Sequence, residues 1–418
     1  MARENQVDTQ VQVPPSEEGR PLQAVRGLAP ERFGDLLARA LDGEGPALLP
    51  IPAGTPDARV RDLLAAMRPA SLRGPDGVSA LDGSAPARAG TALVVTTSGS
   101  TGAPKGVELS AHALRSSARA SVARIGAAPG DAWLCVLPAG HISGIQVMTR
   151  ALATGAEAVH APFDTDTVRE LAAKLRPHVS LVPTQLRRLL AAGADLSLFG
   201  TVLLGGAAAE PALVEAARAA GARVVTTYGM SETCGGCVYD GVPLDGVRVR
   251  VDSEAPGEPG PVLLSGPMLL SGYRFAPGTA GDPGALTRDG DGRSWLRTSD
   301  LGRLDAKGRL SVLGRGDEVV NTGGHKVVPG QVNALLMEHP AVAESVVVGR
   351  PDPEWGERVS AVVVPADPDA PPTLEQLRSW VRERLPSYAA PRELDLRGSL
   401  PMLASGKPDL VALRGPAS

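Results

Sequence analysis

From residue 92 onward, short apolar runs alternate with longer amphipathic segments. The runs at 92–97, 133–137, 156–161, 179–182, 202–204 and 223–227 are apolar on both faces, the pattern of buried strands. Between them, apolar positions recur at helical spacing near 110–125, 142–154, 165–176, 184–192 and 211–221, and Pro211 suits a first helical position. This alternation predicts an α/β fold on a parallel sheet. Helical periodicity also predicts helices at 31–41 and 57–67, while 71–90, with Gly74-Pro75-Asp76-Gly77, reads as a loop. Near residue 243 the period changes. Val247-Arg248-Val249-Arg250-Val251 alternates strictly, and runs at 262–265 and 268–273 follow between Pro/Gly turns, predicting a small β-rich subdomain. Beyond Gly314-Arg315-Gly316-Asp317 the pattern predicts a compact α+β unit. Its strands are expected near 319–321, 344–349 and 358–364 and its helices near 330–338 and 374–384. The expected organisation is a flexible tail at 1–20, an N-terminal domain at 21–316 and a C-terminal domain at 317–418.

Composition narrows the picture. Glycine (49) and proline (38) are abundant but scattered, which implies many turns, and aromatics are only 3%, so Leu, Val and Ala must build the core. A net charge of −4 gives no electrostatic footprint for nucleic acid. No apolar run approaches the ~20 residues of a membrane span, so stable membrane insertion is not expected. The three cysteines, an odd number, fit a reducing cytoplasm. Cys234-Gly235-Gly236-Cys237 has C-x-x-C spacing, but only Cys135 remains as a further thiol, so packing is the favoured role over metal or redox. Lysine is scarce: Lys105, Lys174, Lys307, Lys326 and Lys407 against 37 arginines. Lysines 105 and 407, both in glycine-containing loops, therefore stand out.

The candidate chemistry starts at Thr97-Ser98-Gly99-Ser100-Thr101-Gly102-Ala103-Pro104-Lys105-Gly106. Such a loop offers backbone N–H groups, hydroxyls and an ammonium to phosphates, yet lacks the Gly-Lys-Ser/Thr of a Walker A loop. His141 follows a strand, at the edge where α/β sheets place ligands. Ser143, Gln146, Val147 and Arg150 share one helical face beyond it. Gly205-Gly206-Ala207-Ala208 presents small residues after a strand. Tyr228-Gly229-Met230-Ser231-Glu232 offers a ring, a hydroxyl and a hard oxygen ligand. Ser299-Asp300-Leu301-Gly302 places a carboxylate in a turn, and Ser405-Gly406-Lys407 closes the chain.

Together and in this order, these motifs resemble the adenylate-forming superfamily of acyl-CoA synthetases and adenylation enzymes, over roughly residues 30 to 415. Within it, Gly140-His141-Ile142-Ser143-Gly144, the stretch Ser180-Leu181-Val182-Pro183-Thr184-Gln185 and Leu204-Gly205-Gly206-Ala207-Ala208 resemble the o-succinylbenzoate–CoA ligases of menaquinone biosynthesis.

The resemblance implies a cytoplasmic ligase that uses ATP, Mg²⁺ and coenzyme A, with a small carboxylic acid as substrate; a homodimer is left open. Residues Thr97, Ser98, Gly99, Ser100, Thr101, Gly102 and Lys105 would hold the β- and γ-phosphates. Glu232 would bind Mg²⁺ and Ser231 the α-phosphate, with Gly206, Ala207, Ala208, Tyr228, Gly229 and Met230 around the nucleotide. Asp300 and Arg315 would hold the ribose. Lys407, with Glu232 and His141, would be catalytic. His141, Ser143 and Arg150 would bind the acid. Asp317 would be the hinge of a mobile C-terminal domain, whose Gly323-Gly324 loop serves the CoA stage. The chain departs from the family pattern at Ser231 (usually Thr), at Ser299 (usually Gly) and at His325-Lys326 after the loop glycines. Other aryl- or acyl-CoA ligases, carrier-loading adenylation enzymes and a silent nucleotide sensor share these motifs.

Overall fold

The computed structural model describes residues 19–52, 54–98, 104–277, 286–402 and 408–415. Most of the expected tail lies outside them. Arg20, at its end, is tied down: its guanidinium donates to the carbonyls of Ala40, Glu44, Gly45 and Thr91.

Two seven-stranded sheets form the N-terminal region. The first runs Gly272–Arg274, Pro104–Ser110, Thr91–Ser98, Ala47–Ile51, Leu22–Arg26, Ser71–Gly74, Gly77–Ala80 in spatial order. The second runs Val242–Pro243, Gly235–Tyr239, Val224–Met230, Thr201–Leu204, His178–Leu181, Trp133–Cys135, Ala158–His160. Parallel strands occupy the middle of each, and antiparallel hairpins occur at the edges.

Strict alternation along the strands gives each sheet two apolar faces. Leu22, Ala24, Leu49 and Ile51 pack outward on helix Asp57–Met67. Val25, Leu48, Leu93 and Val95 pack inward on helices Pro30–Leu41, Ala111–Ile125 and Ile142–Ala153. The opposite sides of the last two helices meet Trp133, Cys135, Leu203 and Val225 of the second sheet. Leu134, Val179, Leu181, Val202 and Leu204 of that sheet then face helices Thr165–Leu175, Pro183–Ala191 and Pro211–Ala219. Helix Ile142–Ala153 is thus enclosed between the sheets, and every residue from Gly144 to Ala151 is buried.

Local chemistry explains the boundaries. Ser110 and Asp164 accept the first free backbone N–H groups of their helices, and proline opens those at Pro30, Pro183 and Pro211. Several expectations need correction. Residues 71–80 form a hairpin, Ser71–Gly74 with Gly77–Ala80, because Pro75-Asp76 makes its turn. The strand from Thr91 pairs antiparallel with Pro104–Ser110, which the loop signature hid. The expected strand at 268–273 is only Gly272–Arg274, and it belongs to the first sheet. Asp300 sits inside strand Ser294–Leu304 rather than in a turn.

The β-rich segment is a five-stranded sheet with Gly260–Ser265 and Ser294–Leu304 at its centre and Arg248–Val251 at one edge. After Gly316–Glu318, a further sheet built on Val342–Asp352 and Gly356–Pro365 buries Val347, Val359, Ala361 and Val363 under helices Pro329–Met337 and Leu374–Arg382. Its other face holds Arg350, whose side chain is 2% exposed. Arg350 donates to Glu393 Oε1 (3.0 Å), Asp395 Oδ2 (2.7 Å) and the Leu413 carbonyl (2.9 Å). Strand Glu393–Leu396 and the terminal helix Leu410–Arg414 are thereby fastened to one guanidinium.

Removing Arg350 takes one charged partner from Asp395 and Glu393, which keep Arg397 and Arg358, and breaking a buried ionic contact costs up to about 3–5 kcal/mol. Arg350→Ala is therefore expected to lower the stability of this unit by up to that amount, read from urea denaturation. Burial alone would raise the Asp395 carboxyl, but the hydrogen bonds and charges of Arg397 and Arg350 outweigh it and hold it below the usual range. The stabilisation is thus present above the unfolded value of about 3.9. It is lost as pH falls through the lower native value, so the difference between wild type and variant should shrink below about pH 4.

Candidate active site

Three strands of the second sheet lead from their carboxyl ends, where open α/β sheets place ligands, to candidate residues. Strand Trp133–Cys135 leads to His141, half-buried and at the N-cap of helix Ile142–Ala153. Strand Thr201–Leu204 leads to Gly205, Gly206, Ala207 and Ala208, the last three exposed. A Cβ at Gly205 would stand 2.3 Å from Thr227 Oγ1, so only glycine lets this turn lie against the next strand. Strand Val224–Met230 carries Tyr228, Gly229 and Met230 into the turn Ser231–Thr233. A Cβ at Gly229 would meet the Gly235 carbonyl at 2.0 Å; the absent side chain lets the two backbones pair. Thr233, fully buried, locks the turn by accepting from Met230 N (2.9 Å) and facing the Gly235 carbonyl (2.7 Å).

Two polar clusters result. Lys105, on strand Pro104–Ser110 of the first sheet, places Nζ 3.3 Å from Glu232 Oε1 of the second. Tyr273 donates its hydroxyl to the same oxygen (3.2 Å), and its ring lies 4.0 Å from Lys105 Nζ. An ammonium, a carboxylate and an aromatic face thus converge from three segments. In the second cluster, Tyr228 donates its hydroxyl to Asp300 Oδ2 at 2.7 Å. Burial and the Asp300 charge push the phenol well above its ordinary pKa, so it stays a donor. Asp300 pairs across the sheet with Arg315. Arg315 in turn grips Asp317 through both its carboxylate oxygens (2.9 and 2.5 Å), which raises the guanidinium pKa further.

The enclosed helix holds the third feature. Arg150 is 6% exposed, yet among the described residues no carboxylate lies within ion-pair distance of it. Its Nη1 donates to Ser180 Oγ (3.1 Å), its guanidinium lies 6.0 Å from the Trp133 ring centroid, and its Nε has no partner. A buried cation with one neutral partner is expensive. Ser143, on the same face near the helix start, is exposed.

Gly99, Ser100, Thr101, Gly102 and Lys407 lie outside the described residues. In the C-terminal unit, Gly323 has φ +58°, and a Cβ there would come 2.5 Å from the Trp355 ring; His325 stacks on Tyr388 at 4.2 Å. Sequence reasoning missed Tyr273, Trp133 and Ser180. A usable signal existed for the first two, since a chain with four tyrosines and four tryptophans spends them sparingly.

Residues 49–274 match the family described as AMP-binding enzyme, and residues 331–407 match the AMP-binding enzyme C-terminal domain. The chain is 41% identical over 408 residues to a probable 2-succinylbenzoate–CoA ligase of Mycobacterium tuberculosis, covering 94% of this chain and 97% of that one. It resembles the o-succinylbenzoate CoA synthetase of Bacillus subtilis solved with the acyl-adenylate intermediate OSB-AMP (TM-score 0.73, 25% identity, covering 94% and 88%). It also resembles ATP-bound MatB of Rhodopseudomonas palustris (TM-score 0.81, 25% identity, covering 96% and 89%).

The thiols are bystanders in this geometry. Cys135, Cys234 and Cys237 are free and buried, and no group of three metal-ligating side chains occurs among the described residues. Burial pushes the thiols up, to about 11 for Cys135 and about 12 for Cys237. Ellman's reagent at pH 8 is expected to label none of the three in the native protein and all three after unfolding.

Proposed function

The chain belongs to the AMP-binding enzyme family, and on that premise we propose that it is an ATP-dependent acid–CoA ligase whose acid is o-succinylbenzoate. The reaction has two stages. A carboxylate oxygen of the acid bonds to the α-phosphorus of ATP as the bond to the bridging oxygen breaks and pyrophosphate leaves. The sulfur of coenzyme A then bonds to the acyl carbon, AMP departs with its oxygen, and the thiol proton passes to solvent. Such a ligase, a step of menaquinone biosynthesis, would work in the cytoplasm, where ATP and coenzyme A are at hand.

The observation that carries the choice of acid is Arg150. An ordinary monocarboxylate spends its only charge at the reacting end. o-Succinylbenzoate brings a second carboxylate, which supplies the counter-charge that Arg150 lacks in the protein. Ser143 and His141, nearer the helix start, would line the same path toward the reacting carboxylate.

The nucleotide roles follow from the clusters. Lys105 and Glu232 neutralise each other in the free site. Phosphate and Mg²⁺ offer each of them a partner of opposite sign, so the pair fits the metal–nucleotide complex. Mg²⁺ commonly takes one or two carboxylates plus phosphate oxygens, and it would neutralise charge on the phosphates. Glu232 would hold it, and Lys105, with Thr97 through Gly102, would hold the β- and γ-phosphates. Ser231 would contact the α-phosphate. Gly206–Ala208 and Tyr228, with Gly229 and Met230, would flank the base. Tyr228 fixes the Asp300 carboxylate, which with Arg315 would take the ribose hydroxyls. Lys407 would bridge the attacking carboxylate and the α-phosphate. The C-terminal unit would then turn about Asp317, removing Lys407 and presenting Gly323 and Gly324 to the incoming thiol.

The direct test is pyrophosphate release with o-succinylbenzoate, benzoates and fatty acids, with thioester products read by mass spectrometry. Thioester from o-succinylbenzoate alone supports the reading, and preference for a monocarboxylate overturns it. Lys407→Ala is expected to cut pyrophosphate release by orders of magnitude while sparing thioester formation from pre-made acyl-adenylate. Equal loss of both would remove Lys407 from its assigned role. Arg150→Ala is expected to raise KM for o-succinylbenzoate roughly ten- to a hundredfold, with a smaller change in kcat, by loss of charged hydrogen bonds. An unchanged KM would exclude Arg150 from acid binding.

A further inference from the structure

One turn before Arg150 lies a second group without a partner. Gln146 is 1% exposed, and both its amide atoms, Nε2 and Oε1, are buried without a hydrogen bond. With Arg150 Nε, this helix face holds three of the eight such orphan atoms found among the described residues. Native interiors rarely leave buried donors unmet, because each costs its full desolvation. The Gln146 stem packs on Gly235, where a Cβ would come 3.1 Å from its Cγ. Gly235 follows the turn that carries Glu232, so the glutamine stands behind the proposed reaction centre, between the helix start at His141 and the arginine.

The proposed acid has a polar group in the corresponding place. In o-succinylbenzoate a ketone lies between the two carboxylates, whichever of them reacts. Resting on the o-succinylbenzoate reading above, we propose that Gln146 is a specificity-determining residue that reads this ketone. Its side-chain N–H donates to the ketone oxygen, and its Oε1 accepts from Arg150 Nε–H, a neighbour at i+4 on the helix. The bound acid then satisfies the amide N–H, and the glutamine Oε1 and the arginine Nε, brought together as it binds, satisfy each other. An acid of equal length with a methylene in place of the ketone would leave the amide N–H buried and unmet.

The test compares o-succinylbenzoate with 2-(3-carboxypropyl)benzoate, its ketone-free analogue, in kcat/KM for pyrophosphate release. Wild type is expected to favour the keto acid roughly ten- to a hundredfold, the usual effect of stranding a buried donor. Gln146→Leu, close in shape and without the amide, is expected to bring the ratio within about threefold of one. Its thermal midpoint should be no lower than that of wild type. Gln146→Met serves the same purpose should the leucine variant fail to fold, and the wild-type ratio tests the idea without any variant. A wild-type ratio near one, or a ratio that survives in Gln146→Leu, would mean that the amide meets only buried water and would overturn the proposal while leaving the ligase reading intact. No turnover of either acid by a wild type that adenylates other acids would overturn both.

Discussion

The rest of the molecule depends on how helix Ile142–Ala153 is enclosed. Two seven-stranded sheets close on it from opposite sides, and every residue from Gly144 to Ala151 is buried, with exposure only toward the ends. A helix in that position is expected to be apolar all round. This one carries Gln146, Thr149 and Arg150 into the interior. Thr149 settles its hydroxyl on the Ile145 carbonyl within the helix. Gln146 Nε2 and Oε1 and Arg150 Nε have no partner among the described residues. The same enclosure fixes His141 at the helix start, after the carboxyl end of Trp133–Cys135 in the sheet that also carries Tyr228.

The Lys105–Glu232 pair, proposed above to meet the nucleotide, ties the two sheets together from another direction. It spans from the second strand of one sheet to the turn after a strand of the other, and Tyr273 on the neighbouring edge strand braces both partners. The pair is partly exposed, so its worth as a stabiliser is small. Its value lies in poise: both charges are held in place before any ligand arrives, and neither needs to be desolvated anew.

Much of this was legible in the sequence. Helices with strong caps or an opening proline, such as those at Ala111, Thr165 and Pro211, fall within a residue or two of their expected bounds at most ends. The strands Leu22–Arg26 and Ala47–Ile51 were not foreseen, because five-residue runs, one broken by Gln23 and the other carrying Pro50, are too short to show a strand period before a helix. Strand Pro104–Ser110 was hidden by the loop signature that it completes. At the site, motif order gave the residue types, but partnership is a three-dimensional property. Nothing in the spelling of Gln146 or Arg150 says that both are buried, that Ser143 beside them is exposed, or that Tyr273 reaches Glu232 across 41 positions of chain.

An enclosed helix also sets the terms on which such a protein can change. Where recognition sits on surface loops, a new substrate can be accommodated by altering the loop and leaving the scaffold alone. Here the residues proposed to face the acid lie on a helix that also packs between two sheets. Changing the volume of one of them without a replacement of like shape disturbs the packing between the sheets. Selectivity and foldability are thus one inheritance, and a lineage that moves to a different acid must carry compensating changes on both sheets along with it.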